Sequence, residues 1–562
     1  MAFFQTPPAL GDQLASDPLL REWLSHRLAP EILAEERARL RHLGALAPEL
    51  HRLQLTDRRS EPVHDPYDPW GHRVDAVSET AVWARARALT AEHGLVAAGY
   101  AGTYGASDRV VQFVRNYLVQ ASLDVYACPL AMTDGAARTL LDVAPADLVE
   151  RAVPRLTSRD PDRAWTSGQW MTERPGGSDV GRSETEARPT DHPDRFLLHG
   201  TKWFTSAVGA DMALTLARPP GNPAGGKGLA LFYVELRDEE GRLQGIEVNR
   251  LKDKLGTRKV PTAELTLRGC PARSVRGTTD GTRHIASMLN VTRTWNAVSA
   301  AFLARRAVAL ALDYAPKRVA FGHRLAHQPL HRETLADLIA EQEAIFHLAF
   351  ETVRLMGQVE HGASDEAKAL LRILTPIAKL TTAKQAVAVA SETLEAFGGA
   401  GYVEDTGLPL LLRDCQVLPI WEGTTNVLAL DALRALRAPE VGGAALGWLT
   451  AELSTPTALE PARAELVRGV AAVRTWMTEA PRLECDRLEA SARGFALTLG
   501  RTAQLRLMLE HAAAAKTPRA AAVVGRFAAR GVVAPGAWAR GGLDVDALLG
   551  PALERSGANG AP

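Results

Sequence analysis

The sequence predicts an α+β multidomain fold in which a helical N-terminal domain, a central β-barrel or sandwich, a helical bundle and a further helical region follow one another. Three observations predict it. Apolar residues recur three and four apart up to about residue 165 and again from about 284 to 437, the period of an amphipathic helix. From about 166 to 275 the pattern shortens to apolar runs of four to six residues set off by glycine and proline, which read as strands. A length of 562 residues exceeds what one core organises, so several domains are expected.

The elements follow in order. In the first domain, 1–165, Ser107-Asp108 is placed to cap a helix whose apolar face is Val110, Val111, Val114, Tyr117, Leu118 and Ala121. Before it, Asp65-Pro66-Tyr67-Asp68-Pro69-Trp70-Gly71 reads as a loop stiffened by two prolines. The second domain, 166–275, carries the strands Phe196 to His199, Met212 to Leu216, Leu229 to Val234 and Thr262 to Leu267. The third, 276–437, contains long helical segments such as Trp295 to Tyr314 and Arg332 to Glu360. Ala438-Pro439-Glu440-Val441-Gly442-Gly443 breaks the pattern as a linker to the last region, 438–562, whose glycine-, alanine- and proline-rich tail reads as partly disordered.

Composition excludes several function classes. Lysine plus arginine and aspartate plus glutamate are 65 each, so net charge predicts no general attraction to nucleic acid or membrane. A local bias stands out: Arg493, Arg501, Arg506, Lys516, Arg519, Arg526, Arg530 and Arg540 face the single acid Glu510 between residues 493 and 540. Such a segment either meets phosphates or forms a solvated arginine-rich helix face. Cys128, Cys270, Cys415 and Cys485 lie far apart with no C-x-x-C spacing, which suits a reducing cytoplasm and no structural zinc. Neither a signal peptide nor a membrane span is read.

Common site signatures are absent. Gly398-Gly399-Ala400-Gly401-Tyr402 follows a helix and does not complete G-x-G-x-x-G, Gly226-Lys227-Gly228 is no phosphate loop, and no serine sits in a G-x-S-x-G elbow. His323, His327 and His331 have the spacing of a helix-borne metal site, but Gly322 and Pro329 interrupt the helix it needs, so no metal is expected. The informative stretch is Leu418-Pro419-Ile420-Trp421-Glu422-Gly423-Thr424-Thr425-Asn426. A carboxylate set against apolar and aromatic surface can accept a carbon-bound proton, because burial favours its protonated form. Glu422 is the candidate base.

Five further segments, taken with that one, resemble the acyl-CoA dehydrogenase family. Met171-Thr172-Glu173 through Gly177-Ser178-Asp179-Val180 resembles its M-T-E-x-x-x-G-S-D signature, and Gly200-Thr201-Lys202-Trp203-Phe204-Thr205-Ser206-Ala207 its flavin-side strand. Lys254-Leu255-Gly256-Thr257-Arg258 with Pro261 to Leu265 is similar to its K-x-G-x-R stretch. Arg318-Val319-Ala320-Phe321-Gly322 running to Gln328 matches R-x-x-F-G-x-x-x-x-x-Q, and Phe397 to Tyr402 matches G-G-x-G-Y. Phe4 to Asp12, Ser167 to Glu173, Arg250 to Gly256 and Ile420 to Gly423 resemble the AidB-like, alkylation-response branch in particular, with likeness weakening after about residue 440.

The resemblance implies FAD, a C-terminal four-helix bundle and a homotetramer whose subunits share cofactors. Met171, Thr172, Gly177, Ser178, Trp203, Phe204 and Thr205 would meet the flavin ring; Glycines 176 and 177 suit close approach and the hydroxyls suit its polar edge. Arg318, Phe321, Gln328, Gly398 and Gly399 would reach the pyrophosphate and adenosine half of a neighbouring subunit's cofactor, with Trp421, Gly423, Thr424 and Asn426 completing the cofactor set. Pro316 is expected to kink the helix that aims Arg318. In most of the family the glutamate matching Glu422 takes the proton alpha to an acyl-CoA thioester; the other known position matches Thr292, before Arg293, and Thr292 cannot be a base. The other reading pairs Glu422 with Arg293 as a structural lock. The branch also implies binding of double-stranded DNA, through Arg434 and, in character, Arg519, Arg526 and Arg530.

Overall fold

In the computed structural model, which describes residues 5–453 and 456–534, helices precede and follow a β-rich segment. Arg540 and the tail expected to be disordered lie outside the described residues, as does Phe4. Among the described residues no helix is long and apolar enough to cross a membrane.

The N-terminal region is helical with one interruption. Of the stretch expected as a proline-stiffened loop, residues 68–71 are the turn and residues 65–67 belong to the first strand of a hairpin, Val63–Tyr67 with Arg73–Ser78. Asp68 closes its turn by accepting the backbone N–H groups of Trp70 and His72, at 2.8 and 2.9 Å, and Pro66 is tolerated because a two-stranded sheet leaves free edges. The helix Asp108–Val119 forms where periodicity places it, but Ser107 does not cap it; the Asp108 carboxylate accepts the Tyr104 N–H at 2.9 Å instead. This helix is buried on all sides, as suits an element enclosed by other helices.

Among the described residues seven strands build the central sheet, and the four expected runs all fall on strands. The longest, Ala263–Ser274, pairs antiparallel with Arg195–Thr205, Ile246–Leu251 and Ala230–Glu235; only Ser167–Trp170 runs parallel to its partner, Met212–Ala217. This sheet has its own core around Trp170, Phe196, Leu198 and Phe232.

Three long helices, Ala286–Tyr314, Pro329–Glu360 and Asp365–Ala396, pack pairwise, and Cys485–Ala515 lies against the latter two. The helices after residue 437 share the bundle's hydrophobic core. Residues 438–443 are not a linker: Pro439 opens the helix Pro439–Thr450, a position that lacks no hydrogen bond by having no N–H. Pro316 does not kink a helix either, since Ala286–Tyr314 ends before it, in keeping with the bias against helical backbone ahead of proline.

Candidate active site

The turn bearing Glu422 lies between Ile420 and the helix Thr425–Ala435, which Thr424 caps by accepting the Val427 N–H. Glu422 and Gly423 both have left-handed backbone, φ 57° and 102°. The Glu422 carboxylate accepts the Thr292 hydroxyl at 2.7 Å. Arg293 touches Glu422 only at its backbone carbonyl, 3.3 Å away, and directs its guanidinium to Asp431 at 2.9 Å. The ionic lock between Glu422 and Arg293 is therefore not formed. Burial opposes the Asp431 charge, but Arg372, Arg293 and Arg434 more than offset it and hold that carboxyl below its usual range.

Two elements from other regions close on this turn. Cys128, near the start of the helix Ala127–Val143, is hydrogen-bonded to Ser206 and feels the Glu422 charge; burial pushes its thiol up to about 12, with Lys254 opposing. A thiol so protonated is a packing group, not a nucleophile. From the sheet side, the Thr257 N–H donates to Asp414 at 2.7 Å, and a side chain at Gly256 would overlap the Arg413 carbonyl, so glycine is required there for the sheet to reach the segment leading to Glu422.

The strand Arg195–Thr205 sorts its end residues by face. Lys202 is fully buried against Glu173 at 2.7 Å, Trp203 is half-buried beneath the Lys252 ammonium at 3.6 Å, and Phe204 is exposed. Thr205 is buried, yet among the described residues its hydroxyl has no hydrogen-bond partner. The Trp203 N–H donates to the Thr172 carbonyl at 3.0 Å, which brings Met171, Thr172, Gly177 and Ser178 beside the same strand end. Gly177 and Ser178 are exposed.

The other expected cofactor residues form a separate group. Arg318 lies in the turn after Tyr314, Gln328 donates to the Ala320 carbonyl at 2.8 Å, and the contact of the Tyr314 and Phe397 rings, 5.1 Å apart, sets this turn beside Gly398 and Gly399. Thr292 and Tyr314 bracket most of one helix, about 33 Å at 1.5 Å per residue, so Glu422 and Arg318 stand at opposite ends of it. Phe321 and Tyr402 in this group are 95% and 90% exposed. Asn426 accepts from Arg493 at 3.0 Å, an intrachain contact with the C-terminal helices. His323, His327 and His331 fall on a strand, a 3-10 turn and a helix in succession.

Three of the basic C-terminal residues are paired with acids of the bundle. Arg519 pairs with Glu343, Arg526 with Glu333 and Asp337, and Arg530 with Asp337 and Glu341, all on the helix Pro329–Glu360. Arg434 is 69% exposed, with Asp431 at 3.5 Å. Sequence reasoning missed Cys128, Asp431 and the buried Lys379, which donates to the Gly423 carbonyl at 2.6 Å.

Three family models match the chain in succession: the AidB N-terminal domain of adaptive response proteins over residues 5–163, the acyl-CoA dehydrogenase middle domain over 168–270 and the acyl-CoA dehydrogenase C-terminal domain over 279–436. Acyl-CoA dehydrogenase family member 11 of Caenorhabditis elegans is 41% identical over 531 residues, 91% of this chain and 86% of that protein. Putative acyl-CoA dehydrogenase AidB of Escherichia coli K12 is 32% identical over 382 residues, 66% of this chain and 68% of that protein. The crystal structure of C. elegans ACDH-11 in complex with C11-CoA superposes with a TM-score of 0.92 at 37% identity, covering 98% of this chain and 97% of that one.

Proposed function

This chain belongs to the acyl-CoA dehydrogenase family, and from that premise we propose that it is an FAD-dependent oxidoreductase acting on an acyl-CoA thioester, with Glu422 as the base. The observation that carries the reading is the Glu422 carboxylate, held by the Thr292 hydroxyl at 2.7 Å and free of the Arg293 guanidinium, which is directed to Asp431. A base must be ionised and unpaired to take a proton, and hydrogen bonding to one oxygen leaves the other available. The residues also fit the cofactor: the buried, unpartnered Thr205 hydroxyl beside Trp203 offers a hydrogen bond to a flat heteroaromatic ring. FAD, when bound, supplies the acceptor for the hydrogen that leaves the beta carbon as hydride. Glu422 takes the alpha proton, Thr292 fixes the carboxylate, and Cys128 with Trp421 lines the turn and limits water. Anaerobic mixing of the purified flavoprotein with a panel of acyl-CoAs that includes C11-CoA should bleach the flavin; a flavin that stays oxidised with every member counts against the reading.

We further propose a homotetramer in the cytoplasm, with cofactors shared between subunits. Supporting it are the placement of Arg318, Gln328, Gly398 and Gly399 at the far end of the helix from Glu422, and the exposure of Phe321 and Tyr402 beside them. Covering an aromatic side chain contributes about 1.5–3 kcal/mol. Phe321→Asp with Tyr402→Asp should therefore shift the mass distribution toward smaller species and reduce FAD retention, as read by light scattering and the flavin absorbance ratio. An unchanged tetramer would contradict this.

The second reading, a DNA-protecting flavoprotein of the alkylation response, rests on the AidB-like N-terminal region and on Arg434. Since Arg519, Arg526 and Arg530 are engaged within the chain, few phosphates are contacted per subunit. Each phosphate neutralised contributes about 0.9 to the slope of log K against log salt, so duplex DNA should bind weakly with a slope near one per chain. A slope of several per chain would mean that the C-terminal arginines leave their acids for phosphates.

A further inference from the structure

Behind the Glu422 turn stands a buried amine that takes no part in the proton and hydride transfers. A left-handed non-glycine residue costs about 1–2 kcal/mol, so the turn at Glu422 needs contacts to hold it. Two successive carbonyls receive them: Arg293 Nε donates to that of Glu422 at 3.3 Å, and Lys379 Nζ donates to that of Gly423 at 2.6 Å. Lys379 comes from the middle of Asp365–Ala396, 44 residues before Gly423, and its side chain is fully buried. Among the described residues it forms no ion pair, whereas Arg293 is neutralised by Asp431. Burying an ammonium without a carboxylate partner is costly, and an apolar residue of similar length would pack the helix at less expense.

We propose that Lys379 is the positioning residue of the base: by donating to the Gly423 carbonyl it fixes the left-handed turn that aims the Glu422 carboxylate at the substrate, and turnover follows its protonation. The substrate in this statement rests on the dehydrogenase reading; the holding of the turn does not. The charged groups facing Lys379 are Glu422 on the turn and Arg293 on Ala286–Tyr314, with Asp431 and Arg372 behind Arg293. Burial lowers the amine to about 7, the Glu422 charge works against that lowering and Arg293 adds to it. Below that pH the full charge and three donors face the turn; above it the neutral amine holds the carbonyl more weakly.

The sign for stability is opposite to that for turnover. Between about 7 folded and 10.5 unfolded, the unfolded chain binds a proton that the folded chain has released, so this residue makes the fold more stable as pH rises through that window.

The test compares the wild type, Lys379→Met, Lys379→Arg and Glu422→Gln as purified FAD-loaded proteins. In the first arm, stopped-flow flavin reduction by a saturating acyl-CoA is followed across pH 6 to about 9. Lys379→Met should lose at least about tenfold in the reduction rate, with the half-saturating acyl-CoA concentration little changed, and should lose the fall in rate that the wild type shows near pH 7. Lys379→Arg should recover part of the rate and show no such fall, because arginine stays charged. A Lys379→Met rate within twofold of the wild type, with the same pH profile, would overturn the proposal. In the second arm, thermal midpoints are recorded over the same range without substrate. The wild type should gain on Lys379→Met as pH rises above 7, and Glu422→Gln should move that gain to lower pH by removing the facing anion. If no acyl-CoA reduces the wild type, the dehydrogenase reading fails and the second arm alone judges Lys379: a gain over Lys379→Met that sets in at the same pH in Glu422→Gln as in the wild type would overturn the coupling. Should Lys379→Met lose its flavin, the same comparisons are made with Lys379→Arg.

Discussion

Replacing Glu422 with glutamine is expected to slow acyl-CoA-driven flavin reduction by about 10²–10⁴-fold, the range general-base catalysis contributes, while FAD remains bound. Stopped-flow bleaching of the oxidised flavin band, together with the flavin-to-protein absorbance ratio, separates the two effects. The geometry explains why the change should be chemical rather than structural. Arg293 and Lys379 hold the turn through backbone carbonyls, and neither contact involves the carboxylate. A glutamine keeps the length of the side chain and can still accept the Thr292 hydroxyl through its amide oxygen. It cannot take a proton. Acyl-CoA binding should change little, because the loss concerns a transfer made only as the reaction proceeds.

The largest stability effect is expected at Asp134, which is fully buried and accepts from four side chains. Arg109 Nη1 and Tyr100 Oη donate to one oxygen at 2.7 and 2.6 Å, Gln112 Nε2 and Trp295 Nε1 to the other at 2.8 and 2.7 Å. Removing one partner of such a buried charge pair costs about 3–5 kcal/mol, since the remaining charge is left without compensation. Glu360, at 2.7 Å from Arg109, absorbs part of that in this protein. Asp134→Ala should therefore lower the midpoint of denaturant unfolding, and Asp134→Leu combined with Arg109→Met should recover part of the loss. Trp295 lies three residues from Thr292 on one helix, so the single variant should also reduce turnover through a displaced Thr292 hydroxyl. A full-strength unfolding midpoint in Asp134→Ala would show that the network contributes little.

What the sequence disclosed follows from how local each signal is. The strands around residues 196–199 and 212–216 were legible because alternation and apolar runs are properties of neighbouring residues. The hairpin at 63–78 was obscured by its own prolines, which signal a turn even where one lies on a strand of a two-stranded sheet. Trp421-Glu422-Gly423 could be recognised as a site because its chemistry lies in consecutive residues. Lys379 and Cys128 could not, since they reach the turn from 44 residues upstream and from another region altogether. A buried lysine in an apolar helical run was a visible signal, although its target was not. The C-terminal arginines show the same limit: their sign was apparent, but the acids that meet them lie nearly two hundred residues earlier, with Arg526 and Asp337 separated by 189 positions.

Proton removal at the alpha carbon is measurable without net oxidation. FAD-loaded protein incubated anaerobically with an acyl-CoA in D₂O should wash deuterium into the alpha position, read by mass spectrometry of the recovered thioester, and Glu422→Gln should abolish that exchange while Thr292→Ala only slows it. Exchange that continues at the wild-type rate in Glu422→Gln would contradict the assignment of the base.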